Sequence, residues 1–275
     1  MVTKVVLITG AAGGIGSEAA KRLASMGFEL VLVDINQNGL MELSASLPQP
    51  ATCIAANLLF AEEIERVHTE VINRFGRLDI LINNVGIVIN GPYEERPFEL
   101  IDREMQLNFN APARLIRLFA QNMKEQESGH IISVSSLAGI TPLKECPVYS
   151  ASKFALRGLM LSLNMSLKEH GINVTNICPS AVDTPMLEEE VRTGGSKLNF
   201  LADPQPPSAI VDAIVKAIKY PDTIEICVPG SDGFLSKLAG SFPKLNVRLT
   251  PLVERMATKT HKRYLESKGI AVEDS

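Results

Sequence analysis

Short apolar runs alternate along the chain with longer segments whose apolar residues recur every third or fourth position. The short runs are Val5–Thr9, Leu30–Asp34, Ala51–Ala55, Asp79–Asn83, His130–Ser135, Asn173–Cys178 and Thr223–Val228. Their length and β-branched content predict strands. The longer segments predict helices. Ala61–Phe75 shows this most clearly, with Ile64, Val67, Val71 and Phe75 three and four apart. Further helices are expected after the first run through Met26, over Asn38–Leu47, over Phe98–Gln126 with an interruption near Asn108 and Pro112, and over Tyr149–His170. The last lies over Ser208–Lys219, with Ser208 in the N-cap position after Pro206-Pro207.

Strands that alternate with helices build βαβ units, and these require a parallel sheet covered on both faces. The expected fold is α/β, an open doubly wound sheet of seven parallel strands with helices on both faces. Residues 1–230 carry this alternation as one domain, since no repeat or low-complexity linker divides them; residues 231–275 form a C-terminal extension. A sheet of this kind binds ligands beyond the carboxyl ends of its strands, so the residues just after each strand are the first candidates for chemistry.

After the first strand comes Thr9-Gly10-Ala11-Ala12-Gly13-Gly14-Ile15-Gly16, followed by a helix. Glycines permit a tight turn and let a pyrophosphate approach bare backbone, and the helix N-terminus favours an anion. Asp34 ends the second strand, where a carboxylate can hold a ribose diol and repels a 2′-phosphate. The alternative for Asp34 is that it caps the following helix. No Lys or Arg lies within the turn to hold a 2′-phosphate, so NAD is expected in preference to NADP. Tyr149 and Lys153 are four apart on one helix face. An ammonium beside a phenol lowers its pKa and makes it a usable general acid/base. Ser136, at the end of the fifth strand, can donate to a substrate carbonyl or its developing alkoxide.

Together these motifs resemble the short-chain dehydrogenase/reductase family, over about Lys4 to Val228, and the resemblance implies a Rossmann-type fold. Gly10, Gly14 and Gly16 match the TGxxxGxG turn; Asn83-Asn84-Val85-Gly86 is similar to NNAG, with Val for Ala; Pro179 to Pro185 is similar to PGxVxTP, with Ser180 for Gly. Asn57 stands where the family usually has Asp. The resemblance implies a catalytic set of Asn108, Ser136, Tyr149 and Lys153, in which Asn108 holds a water that links the lysine to solvent. Ser136, thirteen residues before Tyr149, matches the catalytic serine better than Ser135 does. It also implies cofactor contacts from Gly10, Gly13, Gly14, Ile15 and Gly16, from Asp34 and Ile35, from Asn57 and Leu58, and from Asn84, Val85 and Gly86. Tyr149 and Lys153 join these, as do Pro179, Ser180, Val182 and Thr184. The implied reaction moves a hydride between NAD and a secondary alcohol or ketone, with alcohol oxidation the expected direction. Homodimers or homotetramers through Leu107–Gln126 and Tyr149–His170 are expected by the same resemblance.

Composition removes other classes of function. With 45% hydrophobic residues, a net charge of -4 and no Lys/Arg block, nothing suggests a nucleic-acid partner. Cys53, Cys146, Cys178 and Cys227 are far apart and form no CxxC pair, and His68, His130, His170 and His261 show no ligand spacing, so no metal site is expected. Cys53, Cys178 and Cys227 fall in apolar runs, as small buried hydrophobes do. Met1-Val2-Thr3-Lys4 runs straight into the first strand without a separate apolar stretch and cleavage site, so no signal peptide is expected, and a reducing cytoplasmic location fits. No apolar stretch is long enough to span a bilayer.

By the same resemblance, Met186–Gln205 (residues 186–207 with the following prolines) is expected to be the variable substrate lid, the alternative being a passive surface loop. In the extension, Phe234–Leu238 and Leu245–Met256 are apolar with Lys237, Lys244, Arg248 and Arg255 among them. Packing on the chain's own fold or on another subunit is expected there rather than on a membrane surface, because Pro243 and Pro251 interrupt the pattern. Thr258–Lys268 is charged and expected to be exposed, and Ala271–Ser275 to fray. The lid and tail suggest a hydrophobic substrate, a lipid-like or steroid-like ketone. The competing readings are an NADPH-dependent 3-oxoacyl-type reductase and an NAD-binding sensor or scaffold without turnover.

Overall fold

The computed structural model describes residues 3–270. Its strands are β1 (Val5–Thr9), β2 (Glu29–Asp34), β3 (Thr52–Ala55), β4 (Ile80–Asn83), β5 (Gly129–Val134), β6 (Ile172–Pro179) and β7 (Glu225–Val228). They form one sheet in the order β3-β2-β1-β4-β5-β6-β7, with every neighbouring pair parallel. The helices are α1 (Gly14–Ser25), α2 (Gln37–Ala45), α3 (Ala61–Phe75), α4 (Phe98–Met105), α5 (Ala111–Glu125), α6 (Pro147–Leu167), α7 (Pro185–Arg192), α8 (Pro207–Lys219), α9 (Gly230–Ser241) and α10 (Pro243–Ser267).

β1 shows why the strands read as uninterrupted apolar runs. Val5 and Leu7 enter one core and Val6 and Ile8 the other, and all four are buried. A strand covered on both faces leaves no side for polar residues. The first core is closed by α3, α5 and α6, with Phe119 fully buried at its centre. Truncating such a side chain to Ala costs about 3–5 kcal/mol. The second is closed by α1, α2 and α8. Cys178 is buried and Cys53 and Cys227 only half-buried, and all four cysteines are free thiols.

Several expectations change at element ends. Ser208 does not cap α8: the helix begins at Pro207, and no side chain caps it. Proline at the first helical position has no N–H to satisfy and a φ already suited to the turn, so Ser208 lies inside the helix. Asp34 does not cap α2 either; Asn36 does, its Oδ1 accepting from Gly39 N at 3.0 Å. The interruption near Asn108 is a π-helical turn, Gln106–Asn110, between α4 and α5. Such turns are frequent at functional sites.

The extension departs most. Pro251 lies inside α10 rather than ending it. The carbonyl of Val247 loses its helical partner there, at an exposed position. Thr258–Lys268 is not a free charged surface. Ala257 and Tyr264 join Leu187 and Phe200 in a small third core, and Leu265 is buried as well. The apolar residues of 234–256, by contrast, do not pack on the chain's own fold: Phe234, Leu238, Leu249 and Leu252 are exposed. Residues 271–275, expected to fray, lie outside the described residues.

Candidate active site

From β1 the sheet grows one way to β2 and β3 and the other way to β4, which opens a crevice at the carboxyl ends of β1 and β4. The glycine turn lies on it. Gly10 has φ of +63°, in the left-handed region. A Cβ on Gly16 would stand 2.2 Å from Gly10 O, and one on Gly14 would stand 2.7 Å from Thr184 Cγ2. Gly13 precedes α1, and no side chain caps that helix end. Ile15 packs beneath, against the second core. The result is a bare-backbone cradle at a helix N-terminus, a fit for the pyrophosphate of a dinucleotide.

Asp34 ends β2 beside the turn. Its Oδ2 accepts from Ala12 N in the turn and its Oδ1 from Asn36 N, each at 3.0 Å, while Ile35 beside it is exposed. After β3, Asn57 Oδ1 accepts from Leu59 N at 3.1 Å. Leu58 is buried in the first core.

Sequence reasoning passed over Thr9. Its buried hydroxyl oxygen accepts from Asn84 N at 3.0 Å and from Val85 N at 3.2 Å, while Asn84 Nδ2 donates to the carbonyls of Thr9 and Gly10. These bonds clamp the end of β4 onto the glycine turn. Gly86 follows, where a Cβ would lie 3.3 Å from Asn108 Oδ1 and 3.4 Å from Lys153 Nζ. A hydroxyl ending a strand between two motifs was the available signal.

Beyond β5 the two serines diverge. Ser135 is buried and donates to Lys153 O at 3.3 Å. Ser136 turns towards the phenol of Tyr149, and its Oγ also accepts from Ala138 N at 3.0 Å. Asn108, fully buried in the π turn, accepts from Ile87 N and donates to Ile87 O, both at 2.8 Å, and donates to Ser152 Oγ at 3.2 Å. Its side-chain amide is thereby engaged with protein groups.

The electrostatics differ from expectation. Burial pushes the Tyr149 phenol up, above its ordinary value; the Ser136 hydroxyl facing it acts in the opposite sense, and Glu190, Cys146 and Glu104 reinforce the rise. Lys153 lies beside the Tyr149 ring. Its Nζ donates to Val134 O at 3.2 Å and lies 5.5 Å from the Tyr149 ring centre, and burial lowers its own pKa to about 8. Glu104 is buried against Arg96 at 3.1 Å and is still raised to about 7 by burial.

After β6, Pro179 ends the strand and Ser180 N donates to Val228 O at 2.8 Å. Val182 pairs with Gln205, and Thr184 meets Gly14, so the segment lies over the cradle. The segment expected to form a lid is folded as α7 and a 3₁₀ turn at Lys197–Phe200. Asn90 holds it through Glu190 O at 3.0 Å and Thr193 Oγ1 at 2.9 Å, and Glu190, raised to about 7 by burial, accepts from Asn199 at 2.6 Å. Asp183, Tyr264 and Lys268, none of them singled out by sequence reasoning, tie α10 to the same segment. Among the described residues no cluster of His, Cys, Asp or Glu could hold a metal.

The short chain dehydrogenase family model matches residues 4–194. An uncharacterized oxidoreductase of Staphylococcus epidermidis is 32% identical over 223 residues, 81% of this chain and 94% of that one. Epidermal retinol dehydrogenase 2 of Homo sapiens is 33% identical over 227 residues, 79% of this chain and 72% of that one. Among solved structures, a short-chain dehydrogenase from Sphingobium yanoikuyae, in complex with NADPH, superposes with a TM-score of 0.76 at 28% identity, covering 89% of this chain and 95% of that one. The family match takes in the glycine turn, both serines, Tyr149, Lys153 and the segment after β6. The chain belongs to the short-chain dehydrogenase/reductase family, and is an oxidoreductase of CH–OH groups that uses NAD or NADP.

Proposed function

We propose that the protein is an NAD-dependent dehydrogenase or ketoreductase of a hydrophobic secondary alcohol/ketone pair. Its proton is handled by Tyr149, assisted by Ser136, Lys153 and Asn108. The observation that carries this is the convergence of Asn108 and Lys153 on Gly86, at the strand end that is clamped to the glycine turn.

When bound, the dinucleotide supplies or accepts the hydride. The chain's own residues do the rest. The Gly10–Gly16 turn presents its backbone to the pyrophosphate, and Asp34 receives the ribose diol. Ser136 donates to the substrate oxygen. Tyr149 transfers the proton at that oxygen. Because burial holds the phenol protonated at neutral pH, it stands ready as an acid towards a developing alkoxide. Oxidation requires the phenolate, which the Ser136 hydroxyl and a charged Lys153 favour. Asn108 keeps the backbone at Ile87 in place beside Lys153.

The preference for NAD rests on Asp34, whose carboxylate faces the turn and repels a 2′-phosphate. The hydrophobic substrate rests on the likeness to a retinol dehydrogenase. Assembly into a homo-oligomer through α5 and α6 is part of the same reading, with Met165 of α6 exposed. A screen of alcohols and ketones, followed by NADH absorbance with Tyr149→Phe as blank, tests the activity. Turnover that survives in Tyr149→Phe would defeat the assignment. Titration with both cofactors tests Asp34: tighter NADPH binding would transfer the protein to the NADPH-dependent reading.

A further inference from the structure

The exposed apolar side chains of the extension have an order that packing within the chain does not explain. Leu245, Leu249, Leu252 and Met256 are spaced four, three and four apart, which makes one stripe on α10. All four are exposed, Met256 at 69%. Phe234 and Leu238 of the preceding helix are exposed too, Phe234 at 70%. Apolar residues scattered singly on a surface need no explanation, but a contiguous set on two successive helices does.

Charge identifies the occupant. Lys244, Arg248, Arg255 and Lys259 are exposed and follow the same helical spacing, one position away from the stripe. Between Pro243 and Lys262 the one acidic residue is Glu254, and it turns inward to Lys144 at 2.5 Å. The outward face is therefore apolar with a purely basic flank, on a chain whose net charge is -4. Long basic side chains lay their stems on apolar surface and lift their charge to an interface. A water-facing surface would mix signs, whereas apolar residues with a basic flank fit the headgroup region of an anionic bilayer. Among the described residues no helix is long and apolar enough to cross a membrane, so contact would be in the plane of the interface.

The opposite face of the extension is fixed to the fold. Thr141 Oγ1 donates to Ser236 O at 2.9 Å, and a Cβ on Gly240 would lie 2.8 Å from Ile140 O, so α9 is seated on the loop after Ser136. Tyr264 holds the far end of α10 to Asp183. The stripe is thus presented on a rigid support.

We infer that the outward face of α9 and α10 docks the protein on the surface of a membrane that carries anionic lipid. Docking is independent of turnover, and its readout is co-sedimentation. The full-length protein is mixed with vesicles of phosphatidylcholine alone or of phosphatidylcholine with phosphatidylserine. The wild type is expected to sediment with the anionic vesicles, and less so at high salt. Arg248→Glu/Arg255→Glu is expected to weaken binding by at least about fivefold for each basic residue replaced. Leu249→Ser/Leu252→Ser is expected to abolish it. All three proteins should unfold at similar temperatures and show the same mass by light scattering. Failure of the wild type to sediment overturns the inference, as does sedimentation of both variants like the wild type. A smaller mass for Leu249→Ser/Leu252→Ser without vesicles would also overturn it and assign the face to a second copy of the chain.

Discussion

Tyr264 Oη donates to Asp183 Oδ1 at 2.9 Å across 81 residues of chain. Lys268 Nζ reaches the same oxygen at 2.8 Å and Glu188 Oε1 at 2.8 Å. Asp183 stands between Val182, paired with Gln205, and Thr184, packed on Gly14. The end of the C-terminal helix thus holds the segment that covers the cofactor cradle.

From this follows a first prediction. Tyr264→Phe removes one bond to a carboxylate, and Lys268→Met removes two ion pairs. Asp183 and Lys268 are partly exposed, so each change costs about 1 kcal/mol rather than the larger value of a fully buried charged bond. KM for dinucleotide and substrate is expected to rise about fivefold, with kcat changed less, because the loss falls on holding the lid segment rather than on the reacting atoms. Steady-state kinetics check this; an unchanged KM would show that the extension does not support the lid.

Gly16 provides a second. A Cβ there would meet Gly10 O at 2.2 Å and Ala11 Cα at 2.8 Å, both backbone, so Gly16→Ala must move the turn. The expected loss of stability is about 1–3 kcal/mol, with dinucleotide binding lost alongside. Gly13→Ala, whose nearest contact is 3.3 Å, is expected to be milder on both counts. Thermal unfolding and dinucleotide titration by fluorescence separate the two variants.

What could be read from the sequence follows from burial. Strands covered on both faces must be apolar throughout, so β1, β4 and β6 stand out without any structural information. Ser136, Tyr149 and Lys153 could be named as candidates because the spacing along one strand end and one helix turn is local. Helix starts at Pro147 and Pro207 were misplaced, since proline at the first helical position hides the cap that sequence reasoning looks for. The charges of Thr258–Lys268 concealed a seam formed by Ala257, His261 and Tyr264, which meets Phe200. That seam has helical spacing, but its partner lies some sixty residues away and no local pattern points to it. The raised Tyr149 phenol was hidden for a similar reason: desolvation depends on what packs around the side chain, not on the residue four positions on.

The pH dependence of reduction gives a third prediction. Burial lowers Lys153 to about 8, so its ammonium is present below that pH and lost above it. The charge assists proton transfer at Tyr149, so the rate of ketone reduction is expected to fall as pH rises through about 8. In Lys153→Met the limb near pH 8 should vanish and the overall rate drop by about 10²–10⁴-fold, the usual contribution of acid–base assistance. Retention of that limb in the variant would assign it to another group.

His130 carries the fourth. It is buried, and its Nε2 lies 2.9 Å from Thr175 Oγ1, which gives its own proton to Thr223 O at 2.6 Å. The imidazole therefore carries its proton on Nε2 and is neutral, and burial lowers its pKa to about 4. In the unfolded chain the same ring titrates near ~6.5. Between those values the unfolded state binds a proton that the native state refuses. Stability is unaffected above ~6.5 and falls as the pH drops below it, by about 1.4 kcal/mol per unit, to a total of about 3 kcal/mol near pH 4. Carboxylates also titrate in this range, so the informative quantity is the difference between wild type and His130→Gln, whose amide can still donate to Thr175. Urea unfolding from pH 7 to pH 4 should show the variant losing less stability than the wild type. Parallel curves for the two proteins would remove His130 as the source of acid sensitivity.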